Sequence, residues 1–208
     1  YEKKLLTYPR TDSRYLTSDM EETASCVIHL VAKLPPFDGC GNFFPLVEAM
    51  SSDKDVSDHH AIIPTMEIEK ADIKALPLGE RNLFLLVCCK LLCASAEPYV
   101  YEAVTVTFDC GGHSFTAKGK CILSEGWREI DRIFRASLKE RPADEDGGTL
   151  PDFTEGQTFD GAEVAVTEHF TQPPKPYTED TLLSAMENAD KDDIPDEAER
   201  KGLGTPAT

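Results

Sequence analysis

The sequence predicts an α+β multidomain chain, on three observations. Apolar residues recur on a helical period through much of residues 1–97, the period changes to two after Pro98, and Pro173-Pro174 precedes the start of another helix. These mark a mainly helical part (1–97), a β-rich part (98–172) and the opening of a further helical part (173–208).

In chain order, Ser18-Asp19-Met20-Glu21 reads as a capping box, and Ala24 to Leu34 follows as a helix that Pro35-Pro36 ends. Residues 37–58, rich in Gly, Pro, Ser and Asp, read as a loop with a short helix near Phe44 to Met50. Ile68 to Leu76 and Gly79 to Ala96 are expected to be helical, the second apolar on nearly every face and therefore buried. Beyond Pro98, Val104 to Phe108 alternates as a strand, Gly111-Gly112 supplies a turn and Ser114 to Ala117 returns. Gly126 to Ile130 is expected to be a short strand end, Lys139 to Gly148 a charged loop, and Val164 to Phe170 a further strand. After the Pro173-Pro174 linker, Tyr177 and Leu182 are placed to staple the start of a helix whose N-cap is Thr178.

The 208 residues carry a net charge of −17, and the three parts carry −5, −7 and −5. Affinity for nucleic acid in general comes from cations that neutralise phosphates, so this chain is no general DNA coat. Its cations do gather locally: Lys3, Lys4, Arg10 and Arg14 surround Tyr8, and local potential governs a site more than net charge does. Seven cysteines without a Cys-x-x-Cys pair argue for reduced, structural thiols and no zinc; Cys89 and Cys93 lie one helical turn apart in an apolar stretch. No apolar run approaches the ~20 residues of a membrane span, and no signal peptide is evident, which leads us to expect a soluble, cytoplasmic protein.

The chemistry concentrates at Thr7-Tyr8-Pro9-Arg10-Thr11-Asp12-Ser13-Arg14-Tyr15-Leu16. A proline biases its predecessor toward extended geometry, in which residues i and i+2 face the same way, so Tyr8 and Arg10 can reach one phosphate. A tyrosine hydroxyl near its ordinary pKa of ~10 is a weak nucleophile, whereas a fixed guanidinium can hold a phosphodiester and stabilise transition-state charge. Tyrosyl-phosphate transfer is the activity suggested. A Tyr-x-Arg pair alone is more often just a half-exposed strand edge. His59, in Asp58-His59-His60-Ala61-Ile62-Ile63-Pro64-Thr65, can donate to a phosphate oxygen or move a proton near neutral pH, and a His-His pair can also be plain surface. Asp12 and Ser13 could orient Arg10 or touch a DNA backbone, or simply form a turn, and Arg14 is a candidate phosphate contact. Asp144-Glu145-Asp146 reads as a solvated loop rather than a cation site.

The Thr7–Leu16 string resembles the active-site segment of type IA DNA topoisomerases in its topoisomerase III version. Two further blocks resemble the family in its order: the His59 block, and Pro173-Pro174-Lys175-Pro176-Tyr177-Thr178-Glu179-Asp180-Thr181-Leu182-Leu183-Ser184-Ala185-Met186-Glu187 followed by Gly202-Leu203-Gly204-Thr205-Pro206-Ala207-Thr208. The resemblance implies Tyr8 as nucleophile, Arg10 as phosphate clamp and His59 as assisting acid or hydrogen-bond donor. By the same resemblance, Gly202, Gly204, Thr205 and Thr208 form a backbone-binding loop, 1–97 a catalytic-tyrosine domain with a helix-turn-helix-like core, and 98–172 a β-rich arch.

The partner implied is DNA, preferentially single-stranded, acted on by a monomer without a nucleotide cofactor or a membrane. The family also uses Mg²⁺ held by an acidic cluster in a toprim domain, which does not lie in this chain, so the 208 residues are expected to be an inactive fragment without a metal of their own. Two rivals stand beside this reading. A tyrosine recombinase has its tyrosine after its Arg and His residues, whereas Tyr8 precedes His59, and a non-catalytic nucleic-acid-binding or scaffold module would keep the fold without the activity.

Overall fold

A computed structural model describes residues 1–11, 13–40, 45–56, 58–139, 150–161 and 163–187. It is α+β. Among the described residues are four α-helices, α1 (Glu21–Val31), α2 (Leu78–Ala94), α3 (Trp127–Ser137) and α4 (Glu179–Glu187), and one antiparallel pair, β1 (Val100–Cys110) with β2 (His113–Ser124). Two compact units, Tyr1–Thr154 and Glu155–Thr208, divide the chain.

The first unit is built on α1, α2 and α3. Val27, Ile28 and Val31 of α1, Leu85, Cys88 and Leu92 of α2, and Ile130 and Phe134 of α3 form one buried cluster, with Phe37 stacked on Phe134 at a centroid separation of 6.2 Å. Between α1 and α2 the chain runs through short 3₁₀ turns, Val47–Met50, Asp53–Asp55, Met66–Lys70 and Ile73–Ala75, where one longer helix was expected over 68–76. Asp72 explains the break: its carboxylate accepts from the amides of Lys74 and Ala75 and restarts the chain as a new turn. Helix α2 is less buried than its composition predicts, since Leu83 and Leu86 stay exposed.

The capping box expected at Ser18 does not form. Ser18 begins a 3₁₀ turn ahead of α1, and its amide and hydroxyl both donate to the Asp53 carboxylate, at 2.7 and 2.9 Å. A side chain 35 residues away has taken the place of the local cap.

The hairpin turns on Gly111 and Gly112, both at positive φ (59° and 80°), as a two-residue turn of this hand requires. It is longer than the sequence pattern indicates, pairing from Val100 opposite Ser124 to Cys110 opposite His113. The strand expected at Gly126 to Ile130 is instead the start of α3. Trp127, Ile130, Phe134 and Leu138 follow a helical period that a five-residue window hides, and Ile130 and Phe134 carry α3 into the core against α2. Gly126 makes the join: at φ 48° a Cβ there would lie 2.4 Å from the carbonyl oxygen of Pro98, and the Trp127 amide donates to the Glu97 carbonyl at 3.0 Å. The hairpin thus leaves the helical body and re-enters it at a single point.

In the second unit the expected strand Val164 to Phe170 is not a strand. No described segment pairs with it, and Val166 is 97% exposed; an alternating pattern without a neighbour to complete its ladder has no sheet to join. Helix α4 starts as expected at Thr178, whose hydroxyl accepts from the Thr181 amide at 3.2 Å while Thr181 Oγ1 accepts from the Thr178 amide at 2.8 Å. Tyr177 and Leu182 remain exposed. The charged loop from residue 140 onward, Asp144-Glu145-Asp146 within it, and the Gly202–Thr208 motif lie outside the described residues.

Candidate active site

Two segments far apart in sequence make the site. The tyrosine segment lies antiparallel to the histidine segment through a bridge between Leu6 and Pro64. The Thr7 amide donates to the Ile63 carbonyl (2.9 Å), the Thr65 amide to the Leu5 carbonyl (3.0 Å), and the Ala61 amide to the Tyr15 carbonyl (2.8 Å). Threonine hydroxyls lock this ladder from the side. Thr7 Oγ1 accepts from the Ile63 amide at 3.0 Å, and Thr65 Oγ1 donates to the Lys4 carbonyl at 2.6 Å. Leu5, Ile63 and Pro64 are buried and Leu6 packs against the core beside them, which fixes both segments.

On that frame Tyr8 and His59 meet. Their ring centroids are 4.8 Å apart with planes inclined at 57°, and the edge of Tyr1 approaches Tyr8 at 5.3 Å. Tyr8 is 39% exposed, so a substrate can reach it from solvent. His59 is held by its own backbone: Thr11 Oγ1 donates to the His59 carbonyl at 2.7 Å. Arg10 and Arg14 are exposed and form no ion pair among the described residues. Of the cations near Tyr8 in the sequence, Lys3 is engaged, pairing with Glu80 at the first turn of α2.

The remaining candidates have other placements. Ser13 is tied to the backbone, its hydroxyl donating to the Asp55 carbonyl at 2.9 Å and accepting from the Tyr15 amide at 3.1 Å. His60 donates through Nδ1 to the Ala61 carbonyl at 2.7 Å. Asp12, Gly204, Thr205 and Thr208 lie outside the described residues. Sequence reasoning missed Thr7, Thr11 and Thr65, whose hydroxyls assemble the site; threonines at extended positions flanking the two motifs were the only signal.

The one cluster of potential ligands among the described residues does not suit a magnesium ion. Among the described residues one group of potential ligands converges, Cys89, Cys93 and Asp131, with ligand atoms within 4.8 Å of one another. Its thiols are soft donors, Asp131 pairs with Lys90 and Arg135, and Mg²⁺ takes oxygen ligands. Cys89 is pushed well up by its hydrogen bond to Cys93 and by burial, and Cys88 by burial, so both stay protonated thiols.

A family model described as DNA topoisomerase matches residues 1–208. The chain belongs to the DNA topoisomerase family. It is similar to DNA topoisomerase 3 of Bacillus licheniformis (37% identity over 99% of this chain and 29% of that protein) and of Bacillus subtilis (35%, with the same coverage). The protein of the same name from Staphylococcus aureus is 33% identical over 90% of this chain and 26% of its own length. The chain therefore spans less than a third of the curated relatives it matches. No helix among the described residues is long and apolar enough to cross a membrane.

Proposed function

We propose that these residues belong to a type IA topoisomerase that cuts and reseals one strand of DNA through Tyr8. The hydroxyl oxygen of Tyr8 attacks a phosphodiester, the new bond joins it to the 5′ phosphate, and the 3′ oxygen of the broken bond departs and takes a proton. Religation reverses the step, so no nucleotide is consumed. Arg10 holds the non-bridging oxygens with its planar fork, and His59 donates to the phosphate or to the departing oxygen. Arg14 contacts the neighbouring backbone. The enzyme acts as a monomer on single-stranded DNA, with 1–97 as the tyrosine-bearing domain, 98–172 as an arch and 173–208 opening a DNA-binding domain. Any magnesium the reaction uses binds outside the described residues.

The observation that supports this most is the contact of Tyr8 with His59, whose rings lie 4.8 Å apart, with Arg10 exposed two residues along. The test is covalent capture. The full-length enzyme incubated with single-stranded DNA and denatured should carry an adduct, and Tyr8→Phe should carry none while folding normally. Arg10→Lys should lose most of the activity, since a point charge cannot reproduce the fork. Adduct formation by Tyr8→Phe would remove Tyr8 from the mechanism.

A further inference from the structure

We propose that one face of the β1–β2 hairpin is a second binding surface for single-stranded DNA, apart from Tyr8; it rests on the reading of the protein as a DNA-cleaving enzyme. Side chains alternate across a strand, and the register sets Tyr101, Ala103, Thr105 and Thr107 of β1 on the same face as Ile122, Lys120, Lys118 and Thr116 of β2. Tyr99 joins them, its ring 5.1 Å from that of Tyr101. The charges on this stretch are all positive. Lys120 Nζ lies 4.9 Å from the centre of the Tyr101 ring, and the Arg128 guanidinium lies 4.6 Å from that of Tyr99.

The opposite face is of another kind, carrying Val104, Val106, Phe108, Phe115 and Ala117 with Glu102. Other nearby acids, Glu97, Glu125 and Glu129, stand at the root of the hairpin, and Asp109, opposite Ser114, lies on the tyrosine face but at its tip, beyond Thr107. In a chain of net charge −17, a run of three cations and two tyrosines unbroken by a carboxylate is a local inversion of sign.

The pairing of stacked rings with cations is what an unpaired strand of nucleic acid recognises. Tyrosine rings take bases on their faces regardless of sequence, while ammonium and guanidinium groups follow the phosphates. Lys118 and Lys120 stand about 6.8 Å apart along the strand, twice the ~3.4 Å rise of a stacked nucleotide. Duplex DNA offers no base faces to a tyrosine, so the surface favours single strands.

The test is fluorescence anisotropy of a short labelled oligothymidylate against the 208-residue chain over a salt series. Lys118→Glu with Lys120→Glu should weaken binding more than about tenfold at low salt and reduce the salt slope by about 1.4, the value for two lost phosphate contacts on a single strand. Tyr101→Ala should weaken binding at least about fivefold, and Tyr101→Phe should restore it, because stacking uses the ring and not the hydroxyl. Unchanged binding by the double variant overturns the proposal. So does an equal loss on Lys33→Glu with Lys74→Glu, which changes the net charge identically elsewhere, or tighter binding of a duplex of the same length. Absence of measurable binding by the unaltered chain at low salt also overturns it. Covalent capture on Tyr8→Phe is an independent readout: adducts from that variant would sink the active-site reading and leave the hairpin result standing, and the reverse pattern would sink the hairpin alone.

Discussion

Thr11 illustrates how a residue without chemistry of its own can set up the chemistry of another. Its hydroxyl holds the His59 carbonyl across 48 residues of sequence, and the imidazole beside Tyr8 depends on where that backbone sits. His59→Ala in the full-length enzyme should slow strand cleavage by roughly 10²–10⁴, the usual worth of a positioned acid or donor. Thr11→Val removes one hydrogen bond, about 1 kcal/mol, and should slow cleavage by no more than about tenfold with little change in DNA affinity. Single-turnover cleavage rates measured beside binding constants separate the two, and a Thr11→Val enzyme as slow as His59→Ala would show that the threonine does more than position. Tyr8, Arg10 and His59 could be picked out of the sequence as candidates because each sits in a short string whose order carries information. Their meeting could not be read there: the bonds that bring Thr7 to Ile63 and Thr11 to His59 span 56 and 48 residues, and nothing local encodes such a pairing.

Among the elements, helices with a full apolar period were legible and those whose caps or partners lie far off were not. The period of α1 is set by its own residues, and Ala24, Val27, Ile28 and Val31 are all buried. The cap ahead of it was misread because Asp53 competes successfully for Ser18. The strand reading at 126–130 failed because Trp127 to Ile130 is too short a window for period to decide, and the deciding residue, Phe134, lies beyond it. Gly126 is the element-scale feature most open to test. An alanine there must hold φ near 48° and find room for a methyl against the Pro98 carbonyl, so Gly126→Ala should destabilise by roughly 2–4 kcal/mol. In a chain of this size that lowers the melting temperature by roughly 5–15 °C, measurable by circular dichroism. A melt within about 1 °C of the unaltered protein would mean that the join is slack.

At the scale of the whole molecule, the thiols report how the core is arranged. Cys88 and Cys89 are buried and held as protonated thiols, whereas Cys26, Cys110 and Cys121 are exposed. Because alkylation needs the thiolate, iodoacetamide at pH 8 should label those three first, and raising the pH should not bring Cys88 or Cys89 into reaction until the fold opens. Peptide mass mapping over time checks this, and early labelling of Cys88 would mean that α2 is not packed as described. The α+β character was legible from the change of period at Pro98, whereas the return of α3 to the helical core was not, because it depends on contacts with α2 across the whole hairpin. That return has a consequence for how such a chain can vary. With Glu97 bonded to Trp127 and Gly126 seated on Pro98, everything from residue 99 to 125 is an appendage on a closed neck. Its length, tip and surface can drift, or be exchanged for those of another hairpin, while the neck keeps α2 and α3 in place, so the arm can acquire new preferences for what it touches without the frame around Tyr8 having to be rebuilt.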